Sequence, residues 1–409
     1  MTFAIINGTM KEKIEGKRRM VRFLHCADLH LDRSFEGMPQ LSKWQQSLLT
    51  VNQEVWQRIV DLAIEKQVDF VLLAGDTFHQ NQPSLYIQNI FCQALQRLEK
   101  EGIEVVMCFG NHDYYTPQRY WFDFPENVHL FTEEAVSTLT LTTKSNERVA
   151  FSGFSYCQPW IEARKDIEFP YKAVDCDYHI GLYHGQQAGK YAPFQISELV
   201  SKGYDYWALG HIHVPTILNE QPAIVYPGTP QGHTKKEVAT GVMLVELTPQ
   251  SCHFTPAHVA SLRFGQVDYP MPVQSQRTQV LADLMAKFSA VSPGFYQLHW
   301  QHLSEQQLLE YSAATRLEIL DYLNAQLQRA QKDVFVYEIV IDHEEQETSP
   351  AILPSMLSSQ AFASEVLAKQ LTEELAKNGL LGFVSLEELI PEVMRQAQEN
   401  LGYGAEEKE

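Results

Sequence analysis

Five short polar blocks follow one another along the chain: Asp28-Leu29-His30, Gly75-Asp76, Gly110-Asn111-His112-Asp113, a lone His184, and Gly210-His211-Ile212-His213. The first three each close a run of apolar residues, Phe23 to Ala27, Val68 to Ala74 and Ile103 to Phe109. Short apolar runs of this kind suit buried parallel strands. The polar residues are then expected just past the strand C-terminal ends, where open α/β sheets bind their ligands.

The donor types are carboxylate oxygen, amide oxygen and imidazole nitrogen, with no thiolate placed to join them. That set suits hard or borderline divalent cations, and Mn²⁺, Fe²⁺ or Zn²⁺ would all fit. A carboxylate such as Asp76 can bridge two ions about 3.5–4 Å apart and leave an acidified water aimed at phosphorus. A lone Asp-x-His or a lone histidine carries little information. Gly-Asn-His-Asp and Gly-His-x-His are rarer, and all five blocks in this order favour a two-metal centre for phosphoester hydrolysis.

On these blocks the chain resembles the calcineurin-like metallophosphoesterases, with their order DxH, GD, GNH, H, GHxH. The resemblance covers residues 21 to about 250 and implies an αββα fold, a two-sheet sandwich flanked by helices. Gly75-Asp76-Thr77-Phe78-His79 is similar to the variant found in the SbcD-type DNA repair exonucleases. Ala27-Asp28-Leu29-His30-Leu31-Asp32, Trp207 to His213 and Tyr226 to Gly232 are similar to the YhaO-like branch of these. The protein phosphatase branch carries Gly-Asp-x-Val-Asp-Arg-Gly and Gly-Asn-His-Glu instead. The resemblance implies one metal on Asp28, His30, Asp76 and His213, and another on Asp76, Asn111, His184 and His211, with manganese the expected ion. It also implies His112 as the acid that protonates the leaving oxygen or steadies charge on the phosphorus, and His79 as an aid to phosphate positioning. Asp32 and Asp113 are candidates for orienting the ligating imidazoles, and equally for plain loop or capping carboxylates. His25 and Cys26 read as packing residues on opposite strand faces. One departure stands out: relatives commonly place Arg after Gly232, where this chain has His233 followed by Lys235 and Lys236.

With 409 residues the chain is too long for one ordinary core, and it carries 44% hydrophobic residues, typical of globular chains. No apolar run approaches the roughly 20 residues that cross a bilayer, and Lys11 to Arg19 does not read as a secretory signal. A cytoplasmic protein is expected, without membrane contact. The six scattered cysteines fit reduced thiols and no disulfide framework.

Four segments are expected. Residues 1–20 read as a disordered or non-native extension, and 21–262 as the metallophosphoesterase domain with a βαβαβ front half. Its crossover helices carry Trp44, Leu48, Leu49, Val55, Trp56, Ile59, Val60 and Ala63 in one case, and Ser84 to Lys100 in the other. Short strands after Phe124 (Val128 to Phe131, Arg148 to Phe154, Tyr178 to Tyr183, Gly241 to Leu247) suit the second sheet. Residues 263–343 read as a small α/β capping domain, with a helix over 278–288, a strand over 294–302, a capping box at Ser304 to Gln307 opening a long helix, and a strand over 334–341. A linker over 344–350 precedes residues 351–402, two helices that the resemblance implies dock on an SMC-like, ABC-type coiled-coil ATPase. The resemblance also implies a homodimer.

A net charge of −19 runs against DNA binding, because Lys and Arg supply most non-specific affinity for phosphate. From Arg263 onward there are ten basic and 22 acidic residues, so −12 of the charge lies outside the catalytic half. Two divalent ions add about +4 at the cleft, and Arg33, Arg119, Lys190, Lys235 and Lys236 sit in or near the motif loops. The leading reading is a metal-dependent DNA phosphodiesterase, an exonuclease able to nick single strands, that depends on a partner for DNA affinity. The rivals are a phosphodiesterase or phosphomonoesterase of small molecules and a scaffold whose main work is to hold an ATPase.

Overall fold

The computed structural model describes residues 20–35, 50–80, 82–273 and 276–341. The extension before Met20, the residues Trp44, Leu48 and Leu49, the linker and the two C-terminal helices expected from sequence lie outside the described residues.

Three apolar runs become the parallel strands β1 (Val21–Cys26), β2 (Phe70–Ala74) and β3 (Glu104–Cys108). Helix α1 (Val51–Glu65) buries Val55, Trp56, Ile59, Val60 and Ala63 as one stripe, and α2 (Leu85–Lys100) buries Phe91, Ala94, Leu95 and Leu98. The Ser84 hydroxyl accepts from the Ile87 amide at 3.3 Å and so fixes where α2 starts. These stripes meet β1, β2 and β3 in one core, and the βαβαβ front half is as the periodicity predicts.

The first sheet continues with β4 (Val128–Leu130) beside β3, and with β11 (Val242–Thr248) and β12 (Ser251–Ala257) beyond β1, in the order β12-β11-β1-β2-β3-β4. The second holds β5 (Ser137–Thr142), β6 (Arg148–Gly153), β7 (Tyr178–His184), β8 (Tyr206–Gly210), β9 (Thr216–Glu220) and β10 (Ala223–Tyr226), in the order β5-β6-β7-β8-β10-β9, with the short helix α3 (Ile196–Ser201) between β7 and β8 in the chain. Its interior strands β6, β7, β8 and β10 run parallel. Val128 to Phe131 and Gly241 to Leu247 therefore do not belong to the second sheet. Val105 pairs with Val128 and Phe23 with Val245, long-range pairings that local patterning does not encode. Phe23, Phe70, Val106, Phe151, Ile180 and Tyr206 fill the space between the two sheets. Cys26 faces the helices and His25 the second sheet, the alternation expected of a strand.

Residues 263–341 add a third sheet of three parallel strands, β13 (Arg263–Pro270), β14 (Gly294–Gln301) and β15 (Val334–Ile341). Helix α4 (Arg277–Ala290) and the later helix α6 (Ala313–Arg329) cover one face through Leu284, Phe288, Leu323 and Leu327 around Trp300. The capping box forms, but it opens only the six-residue α5 (Glu305–Glu310). Tyr311 leaves the helix so that its ring meets Trp300 at 4.8 Å, and Ser312 caps a new start. On the other face Phe264, Phe295 and Phe335 pack with Phe35, whose ring is 5.2 Å from Phe295.

All six cysteines are free. Among the described residues no helix is long and apolar enough to cross a membrane.

Candidate metal centre

The parallel runs β1-β2-β3 and β7-β8 end side by side, and their C-terminal tips deliver all five blocks to one place. Asp28, His30, Asp76 and His184 are buried, Asn111, His211 and His213 half-buried. Ligand atoms of Asp28, His30 and His213 lie within 4.8 Å of one another, as do those of Asp28, Asp76 and His184. Asp76 faces both groups, its Oδ2 3.5 Å from His184 Nε2 and 3.9 Å from His30 Nε2. Asn111 Oδ1 is 3.1 Å from both His184 Nε2 and His211 Nδ1. Asp28, His30, Asp76 and His211 all hold left-handed backbone, φ between 43° and 102°. Such conformations cost of order 1–3 kcal/mol each at a non-glycine residue.

The glycines in three of the blocks make this convergence possible. A Cβ on Gly210 would lie 1.9 Å from the Ala74 carbonyl oxygen, and one on Gly110 would lie 2.2 Å from Asp76 Oδ1. Backbone and carboxylate meet there with no room for a side chain.

The hydrogen-bond pattern suits cations. His184 Nδ1 donates to the Ala74 carbonyl at 2.9 Å, so a neutral His184 turns a bare Nε2 toward the oxygens of Asn111 and Asp76. His213 Nδ1 lies 2.6 Å from Glu237 Oε1, and its Nε2 then faces His30 Nε2 at 3.1 Å. At His184 lone pairs point at lone pairs in a buried site, which calls for a proton or a metal ion. Burial lifts the Asp28 carboxyl to about 6, against the pull of His184 and His213. Burial also disfavours charge on Asp76, yet His184, His30 and His112 together hold it far below the ordinary carboxylate range. His184 is raised to about 9, because Asp76 and Asp28 outweigh its burial.

The flanking residues divide clearly. His112 donates its backbone N–H to Asp76 Oδ1 at 2.9 Å, while its ring turns aside to stack on His79 at 4.7 Å. Asp113 accepts from the amides of Gly110, Asp76, Thr77 and Phe78, and Asp32 from those of His79 and Gln80. Both carboxylates thus hold loop backbone, the plainer of their two expected roles. The acid behind an imidazole is instead Glu237, drawn down to about 2: burial disfavours its charge, but the His213 hydrogen bond and the His233 amide prevail. Glu237 sits in no motif block, and neither does Gln186, whose Oε1 is 3.3 Å from His211 Nε2. Nothing local in the sequence marks either. His233 is fully buried, its Nε2 2.8 Å from Asn52 Oδ1, so its ring is taken up in packing behind the site. Arg33 and Arg119 are likewise engaged, the first with Glu237 at 3.2 Å and the second with the Tyr114 carbonyl and ring.

Comparisons with known proteins agree with this architecture. Residues 21–215 match the family model for calcineurin-like phosphoesterases. The chain is 32% identical over 336 residues to an uncharacterized metallophosphoesterase, YhaO, of Bacillus subtilis, covering 79% of this chain and 81% of that one. It is 28% identical to the DNA double-strand break repair protein Mre11 of Methanopyrus kandleri, over 53% of this chain and 50% of that protein. It is 24% identical to one component of the nuclease SbcCD of Bacillus subtilis, over 56% of this chain and 67% of that one. The chain thus spans about half the length of the archaeal repair protein. It belongs to the calcineurin-like metallophosphoesterases, enzymes that hydrolyse phosphate esters with divalent metals. Its relatives support a phosphodiesterase of nuclease type.

Proposed function

We propose that the protein is a metal-dependent DNA exonuclease that also nicks single strands, acting in DNA repair beside an SMC-like ATPase. The observation that carries this is the convergence of Asp28, His30, Asp76, Asn111, His184, His211 and His213 at adjoining strand tips in a chain related to repair nucleases. Asp28, His30, Asp76 and His213 would hold one ion and Asp76, Asn111, His184 and His211 the other, with manganese our choice. When bound, the pair supplies an acidified water and positive charge opposite a phosphodiester. Asp76 stands between the two sets of ligands. His112, turned from Asp76 toward His79, offers a proton to the leaving oxygen, a contribution of order 10²–10⁴ in rate. His79 backs that ring and positions the phosphate. In the paired carboxylate and imidazole of Glu237 and His213, the acid fixes which nitrogen is bare.

The direct test is Mn²⁺-dependent cleavage of end-labelled duplex and single strands, beside cyclic nucleotides and p-nitrophenyl esters. Turnover of the small esters alone would favour the small-molecule reading. Full cellular function of a His112→Ala variant would favour the scaffold.

Two further outcomes are expected. Glu237→Gln should weaken metal binding about 10- to 100-fold, read by Mn²⁺ titration in an electron paramagnetic resonance assay; unchanged affinity would remove Glu237 from this role. His184, raised to about 9, carries a proton at neutral pH that ligation through Nε2 must displace. Metal uptake should therefore release protons at pH 7, and affinity should rise with pH until about 9. Calorimetry in buffers of different ionisation enthalpy measures this, and a pH-independent affinity would contradict it.

A further inference from the structure

Of the five cations near the motif loops, Lys190 is the one set between two aromatic faces. Its Nζ lies 5.6 Å from the Trp160 ring centroid and 5.7 Å from that of Tyr191. Tyr191 in turn packs on His211, centroids 4.7 Å apart, so an unbroken strip runs from the candidate metal centre to Trp160, which is 49% exposed. The strip is rigidly mounted. Ile161 donates to the Lys190 carbonyl at 3.1 Å and Ala192 to the Ile161 carbonyl at 2.7 Å, joining the two loops, while Gln186 donates to the Tyr191 carbonyl at 3.0 Å.

A cation–π pair on a surface contributes about 0.5–1 kcal/mol to stability, and stability alone needs no exposed tryptophan beside the catalytic cleft. Alternating cation and ring is the recognition chemistry of a single nucleic-acid strand, in which phosphates meet Lys or Arg and bases stack on aromatic faces. In a chain of net charge −19, a cation at the cleft has a large share of the electrostatic work.

We propose that Trp160, Lys190 and Tyr191 seat a nucleotide flanking the scissile phosphate, Lys190 on its phosphate and Trp160 against its base. The inference rests on the nuclease reading and adds a subsite for unpaired DNA to it. Frayed or single-stranded ends are then the preferred substrate.

The test uses the full chain and a fluorescent single-stranded oligonucleotide in EDTA, where binding is read without cleavage. Lys190→Ala should weaken binding about 5- to 10-fold and lower the slope of log K against log salt by about 0.7, one phosphate contact on a single strand. Trp160→Ala should weaken binding by a similar factor, and that loss should vanish on an oligonucleotide of abasic sites. Lys190→Arg and Trp160→Phe should bind as wild type, and unchanged melting temperatures check that all variants fold. Wild type that cleaves DNA, with both alanine variants binding equally well, overturns the subsite and leaves the nuclease reading standing. Wild type that neither binds nor cleaves DNA overturns both.

Discussion

Asp76→Asn is expected to lower Mn²⁺-dependent phosphodiester hydrolysis by about 10³-fold or more, some 4 kcal/mol of transition-state stabilisation. The substitution keeps the volume and an oxygen for the His112 amide, which now lies 2.9 Å from Oδ1. It removes the charge that faces both His184 and His30, and with it the single residue proposed to touch both ions. A second readout separates chemistry from folding. Ligands that bind only the native state raise the melting temperature by mass action, so wild type should be stabilised by Mn²⁺ and Asp76→Asn much less. His112→Ala gives the contrast: its ring stacks on His79, and the backbone N–H that reaches Asp76 Oδ1 survives the substitution, so activity should fall while the Mn²⁺-induced stabilisation persists. Equal loss of stabilisation in both variants would mean that His112 belongs with the ligands, and full activity in Asp76→Asn would end the two-metal reading.

Which residues meet at the candidate site was more legible in the sequence than the sheets that carry them. Blocks such as Gly110-Asn111-His112 are legible because each link is local: an apolar run makes a strand, a glycine opens space beyond it, and the next residues enter that space. Gly210 and Gly110 show why those motifs contain glycine at all, since either Cβ would collide with atoms of the neighbouring block. Pairing across sheets is not local in this sense. Val242–Thr248 has a strand's composition whichever sheet it joins, and only its register against Val21 to His25 decides. Glu237 was hidden for the same reason. It lies in a polar stretch after Gly232 and becomes important only when the fold carries it to His213. The capping box at Ser304 illustrates the reverse error. The local signal is correct for a helix start, but the helix ends at Tyr311, whose ring packs on Trp300.

The second large effect concerns a residue that touches no candidate ligand ion. Asp113→Ala should destabilise the fold by about 4 kcal/mol, because a fully buried carboxylate that accepts from the amides of Gly110, Asp76, Thr77 and Phe78 would leave those donors without an acceptor. Its hydrogen bonds are 2.7 Å to Gly110 and 2.8 Å to Thr77, with longer ones to Asp76 and Phe78. They tie the loop that carries Asp76 to the loop that carries Asn111 and His112, so the geometry of both rests on one side chain. Burial and the nearby charge of Asp76 push its carboxyl up to about 7 despite these donors, a tension that bound cations would relieve. At about 2–4 °C per kcal/mol the melting temperature should fall by about 10 °C, measured by calorimetry with and without Mn²⁺. Asp113→Asn, which keeps one acceptor oxygen, should lose roughly half as much. Metal affinity should fall in both variants even at temperatures where they remain folded, since Asp76 and Asn111 are then no longer held in register. An alanine variant within about 1 kcal/mol of wild type that still binds Mn²⁺ normally would show that the two loops are positioned by their own strands.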